Sequence, residues 1–115
     1  MDLAVKRKEY VVKLEESLSK IVEVLSRLPE VERIILFGSY ARGRRDLLTD
    51  LDILVVMDTQ LDILARTAFM YERLCLPVDC DVLVYTPAEL EHLEEQPFLR
   101  QIFKEGIVLY EKKPQ

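Results

Sequence analysis

The sequence predicts a small α/β (α+β) domain, a mixed sheet of about four strands flanked by helices. Three observations predict it. Helix-like and strand-like segments alternate in the order α-β-α-β-α-β-α-α-β, which places sheet and helices in one layered unit. The 115 residues suffice for one compact domain, expected over 1–115. With only three Gly and five Pro, chain breaks are few, and each one marks a boundary.

Residues 3–28 read as a long helix. Val11, Leu14, Leu18, Ile21, Leu25 and Leu28 recur at steps of three and four and stack on one face. Pro29 ends it. Val31 to Phe37 is a β-rich apolar run that stops at Gly38-Ser39, with a short helical turn expected through Tyr40-Ala41-Arg42. Gly43 to Asp46 reads as a mobile polar loop. Asp50 to Met57 is the second strand, and its run Ile53 to Met57 is apolar on both faces, so burial on both sides is expected. A start signal at Asp58-Thr59 precedes a helix over Leu61 to Cys75. Pro77 precedes a third strand, Val78 to Tyr85. Thr86-Pro87-Ala88-Glu89 has the capping-box pattern with Pro at the first helical position, and a helix to about Glu95 follows. Pro97 breaks the chain, Phe98 to Glu105 restarts a helix closed by Gly106, and Ile107 to Tyr110 is the last strand.

Composition excludes several classes. Half the residues are hydrophobic and 32% are charged, which excludes a largely disordered chain. Net charge is −5, so bulk attraction to nucleic acid or anionic lipid is not expected. No apolar run reaches the roughly 18–20 residues of a membrane helix. Charges in Asp2 to Lys8 stand where a signal peptide needs its apolar stretch. Cys75 and Cys80 are the only cysteines, so neither a disulfide scaffold nor a structural zinc site is implied, and the cytoplasm is the expected compartment.

Three features carry chemistry. Gly38-Ser39 ends a strand, and glycine permits a sharp turn and close approach to a ligand. Taken alone, such a turn is usually only a turn. In Asp50-Leu51-Asp52 the two acids share a strand face, with Cα atoms about 6.6–6.8 Å apart. Like charges at the head of an apolar strand are unfavourable unless a cation compensates, although an isolated Asp-x-Asp more often lies at a solvated strand edge. Asp79-Cys80-Asp81 repeats the pattern on the next strand. If the two strands are neighbours, three carboxylates can converge, as two-metal phosphoryl transfer requires.

Gly38-Ser39, ten intervening residues and Asp50-Leu51-Asp52 resemble the signature of the DNA polymerase beta-like nucleotidyltransferase superfamily. The strings Phe37-Gly38-Ser39-Tyr40-Ala41-Arg42-Gly43 and Thr49-Asp50-Leu51-Asp52-Ile53-Leu54-Val55 are most similar to its minimal nucleotidyltransferases, the antitoxins of HEPN toxin–antitoxin pairs. Asp81 to Pro87 and Phe98 to Tyr110 extend the resemblance over roughly 30–111. Thr49 stands where the family often has Ser.

The resemblance implies that Gly38 and Ser39 grip the nucleotide phosphates. It implies that Asp50, Asp52 and Asp81 are catalytic and hold two Mg²⁺ ions, with Asp79 as the rival third carboxylate. The implied donor is ATP. The implied acceptor is a tyrosine hydroxyl of a HEPN-domain ribonuclease toxin, which the protein would neutralise. That partner would also supply the acceptor site that larger superfamily members carry on a second domain. No membrane or direct nucleic-acid contact is expected, and homo-oligomerisation stays open.

Two other readings stand beside this one. The first is a small-molecule nucleotidyltransferase completed by oligomerisation, and the second is a non-catalytic antitoxin that acts by binding alone. Among the remaining residues, Arg42, on the short turn after Ser39, is the arginine best placed to neutralise triphosphate, ahead of Arg44 and Arg45. Tyr40 reads as a packing residue or a nucleotide stack. His92 reads as a surface residue, and both cysteines as small buried hydrophobes.

Overall fold

The computed structural model describes residues 2–114. Helix α1 spans Leu3–Ser26 and is capped by Asp2, whose carboxylate accepts the Ala4 N–H at 2.9 Å. It ends two residues before the predicted Leu28. A residue preceding proline is pushed out of helical conformation, so Leu28 turns off ahead of Pro29. Leu14, Ile21 and Leu25 are buried as the periodicity requires, and Ser17 completes their face.

Strand β1 is Val31–Phe37, the one-turn helix α2 is Gly38–Ala41, and β2 is Leu51–Met57. Helix α3 is Ile63–Leu74 and starts later than predicted. The Thr59 hydroxyl accepts the Leu61 N–H in a local turn, and Asp62 is the residue that caps the helix, on the Ala65 N–H. Cys75 follows with φ 34° and is exposed, which corrects the expectation that it is buried; Cys80 is buried as expected.

Strand β3 is Cys80–Tyr85, helix α4 is Pro87–Leu93 with the capping box formed, α5 is Pro97–Glu105 and β4 is Ile107–Glu111. Gly106 closes α5 because nothing larger fits. A Cβ there would stand 2.5 Å from both the Ile102 carbonyl oxygen and the Ile35 side chain. His92 is exposed, as expected.

The sheet order is β3-β2-β1-β4, with β2 and β3 parallel and the other pairs antiparallel. It is therefore the mixed four-stranded sheet predicted. Side-chain alternation gives it two apolar faces. Ile34, Leu36, Ile53, Val55 and Val82 meet α1 and α3 on one side. Ile35, Leu54 and Val56 meet Leu90 of α4 with Leu99 and Ile102 of α5 on the other. Strand β2 lies inside the sheet and is buried on both faces from Ile53 to Met57, as its composition requires. Among the described residues, no helix is long and apolar enough to cross a membrane.

Candidate active site

The pairing register decides which acids meet. Phe37 is paired with Asp52, and Asp52 with Asp81. Paired residues on neighbouring strands are about 4.8 Å apart in the pairing direction and share a face. Phe37, Asp52 and Asp81 thus form a row across the sheet on the α4–α5 side, one repeat beyond the row of buried Ile35 and Leu54 and half-buried Leu83. Asp50 immediately precedes β2 and is exposed. Asp79 precedes β3 instead of lying on it, and its carbonyl accepts the Leu51 N–H at 3.0 Å, so its backbone extends the ladder while its side chain stays exposed.

Gly38 has φ +79°, a region that favours glycine. A Cβ there would overlap Asp52 Oδ2 and stand 2.9 Å from the carboxyl carbon. Glycine is what lets the Asp52 carboxylate lie against the turn that begins α2. Phe37, at the head of that turn, supplies no side-chain acceptor for its first N–H groups. Burial holds the Asp52 carboxyl above its ordinary range, the charges of Asp81 and Asp50 push it further, and Arg42 opposes them. Negative charge is therefore concentrated at the Gly38 turn, in an arrangement that favours a cation.

Among the described residues, no three or more His, Cys, Asp or Glu side chains stand close enough together to hold a metal ion by themselves. Asp52 and Asp81 are adjacent while Asp50 stands off the strand, so the three carboxylates expected to converge do so only in part. Such a set suits Mg²⁺, which is ordinarily held by one or two carboxylates together with substrate phosphates. Burial, followed by the charges of Asp52 and Asp81, pushes the Cys80 thiol up to about 12. It stays protonated and offers neither a nucleophile nor a thiolate ligand.

The three arginines separate. The Arg44 guanidinium donates to Asp46 at 2.8 Å. Arg45 lies 3.4 Å over the ring of Tyr40 and donates to the Tyr40 and Arg44 carbonyls. Both hold the connector in place, so the segment read as a mobile loop is stapled at several points. Tyr40 is buried under Arg45, which settles it as a packing residue. Arg42 remains exposed beside the turn. It lines a cleft of about 260 Å³ with Phe37, Gly38, Phe98 and Gln101, in which Phe98 meets Phe37 edge to face at 6.2 Å. Sequence reasoning missed Phe98. Its one signal is a large aromatic at the exposed start of a helix, just after Pro97.

The family model "Polymerase beta, Nucleotidyltransferase" matches residues 19–115. A Methanocaldococcus jannaschii protein named "Putative protein adenylyltransferase" is 36% identical over 86 residues, covering 70% of this chain and 79% of the relative. This chain belongs to the polymerase beta nucleotidyltransferase family. Among solved structures, a toxin–antitoxin with AMP-PNP aligns with a TM-score of 0.56 at 24% identity, over 86% of this chain and 74% of that one. A tri-AMPylated Shewanella oneidensis HEPN toxin in complex with its MNT antitoxin gives a TM-score of 0.51 at 23% identity, over 85% and 72%. At these identities the structural matches establish a shared fold.

Proposed function

We propose that this chain is a cytoplasmic protein adenylyltransferase, acting as a single nucleotidyltransferase domain. It would transfer AMP from ATP to a tyrosine hydroxyl of a HEPN-type ribonuclease partner and thereby neutralise it. The observation that carries the chemistry is the Asp52–Asp81 row beside the positive-φ Gly38 turn. The name of the Methanocaldococcus relative and the AMPylated toxin complex support the acceptor class, and the AMP-PNP complex supports the donor.

In this reading the backbone N–H groups at Gly38 and Ser39 receive the terminal phosphates, with Arg42 adding positive charge. The Phe37–Phe98 wall receives the nucleoside. Asp50, Asp52 and Asp81 would hold two Mg²⁺ ions, whose chemistry when bound is to polarise the reacting phosphate and neutralise the leaving pyrophosphate. Asp81, outermost in the row, takes the acceptor proton. The tyrosine oxygen bonds to the α-phosphorus, the bond from that phosphorus to the bridging oxygen breaks, and pyrophosphate leaves.

Intact mass spectrometry tests this. Incubated with ATP, Mg²⁺ and its cognate partner, the chain should add AMP residues to the partner and none to itself. Asp52→Asn should suppress the shift without preventing the two proteins from binding. A partner neutralised yet unmodified would leave only the binding antitoxin.

A further inference from the structure

We infer that Tyr10, assisted by Arg7 one turn earlier on α1, is a positioning residue that fixes Asp50 for cation binding, because its hydroxyl holds the peptide from which Asp50 projects. The inference rests on the metal-assisted reading above and goes beyond it, since both residues lie ahead of the region matched by the family, which begins at residue 19.

The Tyr10 hydroxyl donates to the Thr49 carbonyl at 2.7 Å across 39 positions of sequence. Thr49 is fully buried. Its hydroxyl donates to the Asp46 carboxylate at 3.1 Å and accepts the Asp46 N–H at 2.9 Å. The same carboxylate also takes the Leu48 N–H and the Arg44 guanidinium. On the other side of Asp50, the Leu51 N–H is bound to Asp79. Asp50 itself is exposed and off the strand, so the fixed peptides on either side set where its carboxylate stands. Arg7 acts midway along the same connector, where its guanidinium donates to the Arg45 carbonyl at 2.9 Å. Residues three apart share a helix face, so one face of α1 holds the middle and the Asp50 end of the segment joining the Gly38 turn to Asp50. Burial, then the charges of Asp50, Asp79 and Asp46, pushes the Tyr10 hydroxyl up, so it stays a donor.

Tyr10→Phe keeps the ring against the core and removes only the hydrogen bond. Groups that orient metal ligands carry about 10–100-fold in metal affinity. Mn²⁺ binding to the full chain, read from the EPR signal of free Mn²⁺ in the absence of ATP, should therefore weaken about tenfold in Tyr10→Phe. Arg7→Gln should show a smaller loss in the same direction. Ile21→Val loosens the packing of the same helix away from the connector and should leave Mn²⁺ affinity at the wild-type value. Unchanged affinity in Tyr10→Phe, or an equal loss in Ile21→Val, overturns the positioning role. The same comparison is made with AMP-PNP present, and a wild-type chain that takes up Mn²⁺ under neither condition overturns the metal-assisted reading and this inference with it.

Discussion

Asp79 and Asp81 are two positions apart, carry the same carboxylate and differ in what holds them. Asp81 is locked beside Asp52 by strand pairing, whereas Asp79 sits ahead of β3 with its backbone committed to Leu51. A group that takes a proton in the transition state contributes about 10²–10⁴-fold. Asp81→Asn should therefore reduce single-turnover AMP transfer by at least about a hundredfold, and Asp79→Asn should stay near wild type. Greater loss in the Asp79 variant would reverse the assignment. The sequence placed both acids on one face and ordered them only through resemblance, because alternation along a strand carries no information about lateral register. Arg42 ranks ahead of Arg44 and Arg45 in the sequence only by its place on the turn after Ser39. Their separation into one arginine at the cleft and two loop staples depends on Asp46 and Tyr40, whose positions come from packing.

At the scale of elements, α3, β3 and α4 are joined by one side-chain knot. The buried Arg66 of α3 donates to the Leu61 carbonyl at 2.8 Å, to the Val84 carbonyl at 3.3 Å and to Glu89 at 2.7 Å. Glu89 also accepts the Thr86 N–H at 2.8 Å in the capping box. The Arg66 guanidinium, and then the Thr86 N–H, hold the Glu89 carboxyl below its ordinary range. A carboxyl depressed in the folded state binds fewer protons there than when unfolded. Its contribution to stability is therefore complete above the unfolded value and fades as pH falls through the folded one. Urea midpoints for wild type and Glu89→Gln should differ most near neutral pH and converge below about pH 4.3, the ordinary glutamate range. Curves that stay parallel down to pH 3 would show that the ion pair adds nothing. The capping box was legible because its four residues are contiguous. Arg66 was not, since it lies 23 residues from Glu89 and reads as any helix arginine. The late start of α3 has a similar cause. Asp58-Thr59 and Asp62 are all adequate caps by composition, and the local turn at Thr59 decides between them.

The whole molecule gathers acid at one end of an acidic chain. Parallel β2 and β3 start at the same edge, antiparallel β1 ends there, and the Gly38 turn, Asp52 and Asp81 meet as a result. Fold class and strand number were legible from alternation, but the order β3-β2-β1-β4 was not, because periodicity does not say which strands are neighbours. The same gathering predicts how the chain responds to ligands. ATP alone brings more negative charge to a negative site, and Mg²⁺ alone finds two adjacent carboxylates without phosphate oxygens. Neither should stabilise the fold much. Together each supplies what the other lacks, and a ligand at a hundred times its Kd adds about 2.7 kcal/mol. At ~4 °C per kcal/mol for a chain of this size, the melting temperature should rise by about 10 °C with Mg·ATP and by far less with either component alone. Asp50→Asn/Asp52→Asn should lose this synergy. Because burial and neighbouring acids hold the Asp52 carboxyl above its ordinary range, its ionised form opposes folding at neutral pH. The ligand-free double variant should therefore melt at or above the wild-type temperature. A double variant that melts lower without ligand would show that these carboxylates hold the fold together, and one that keeps the full Mg·ATP shift would show that they do not hold the cation.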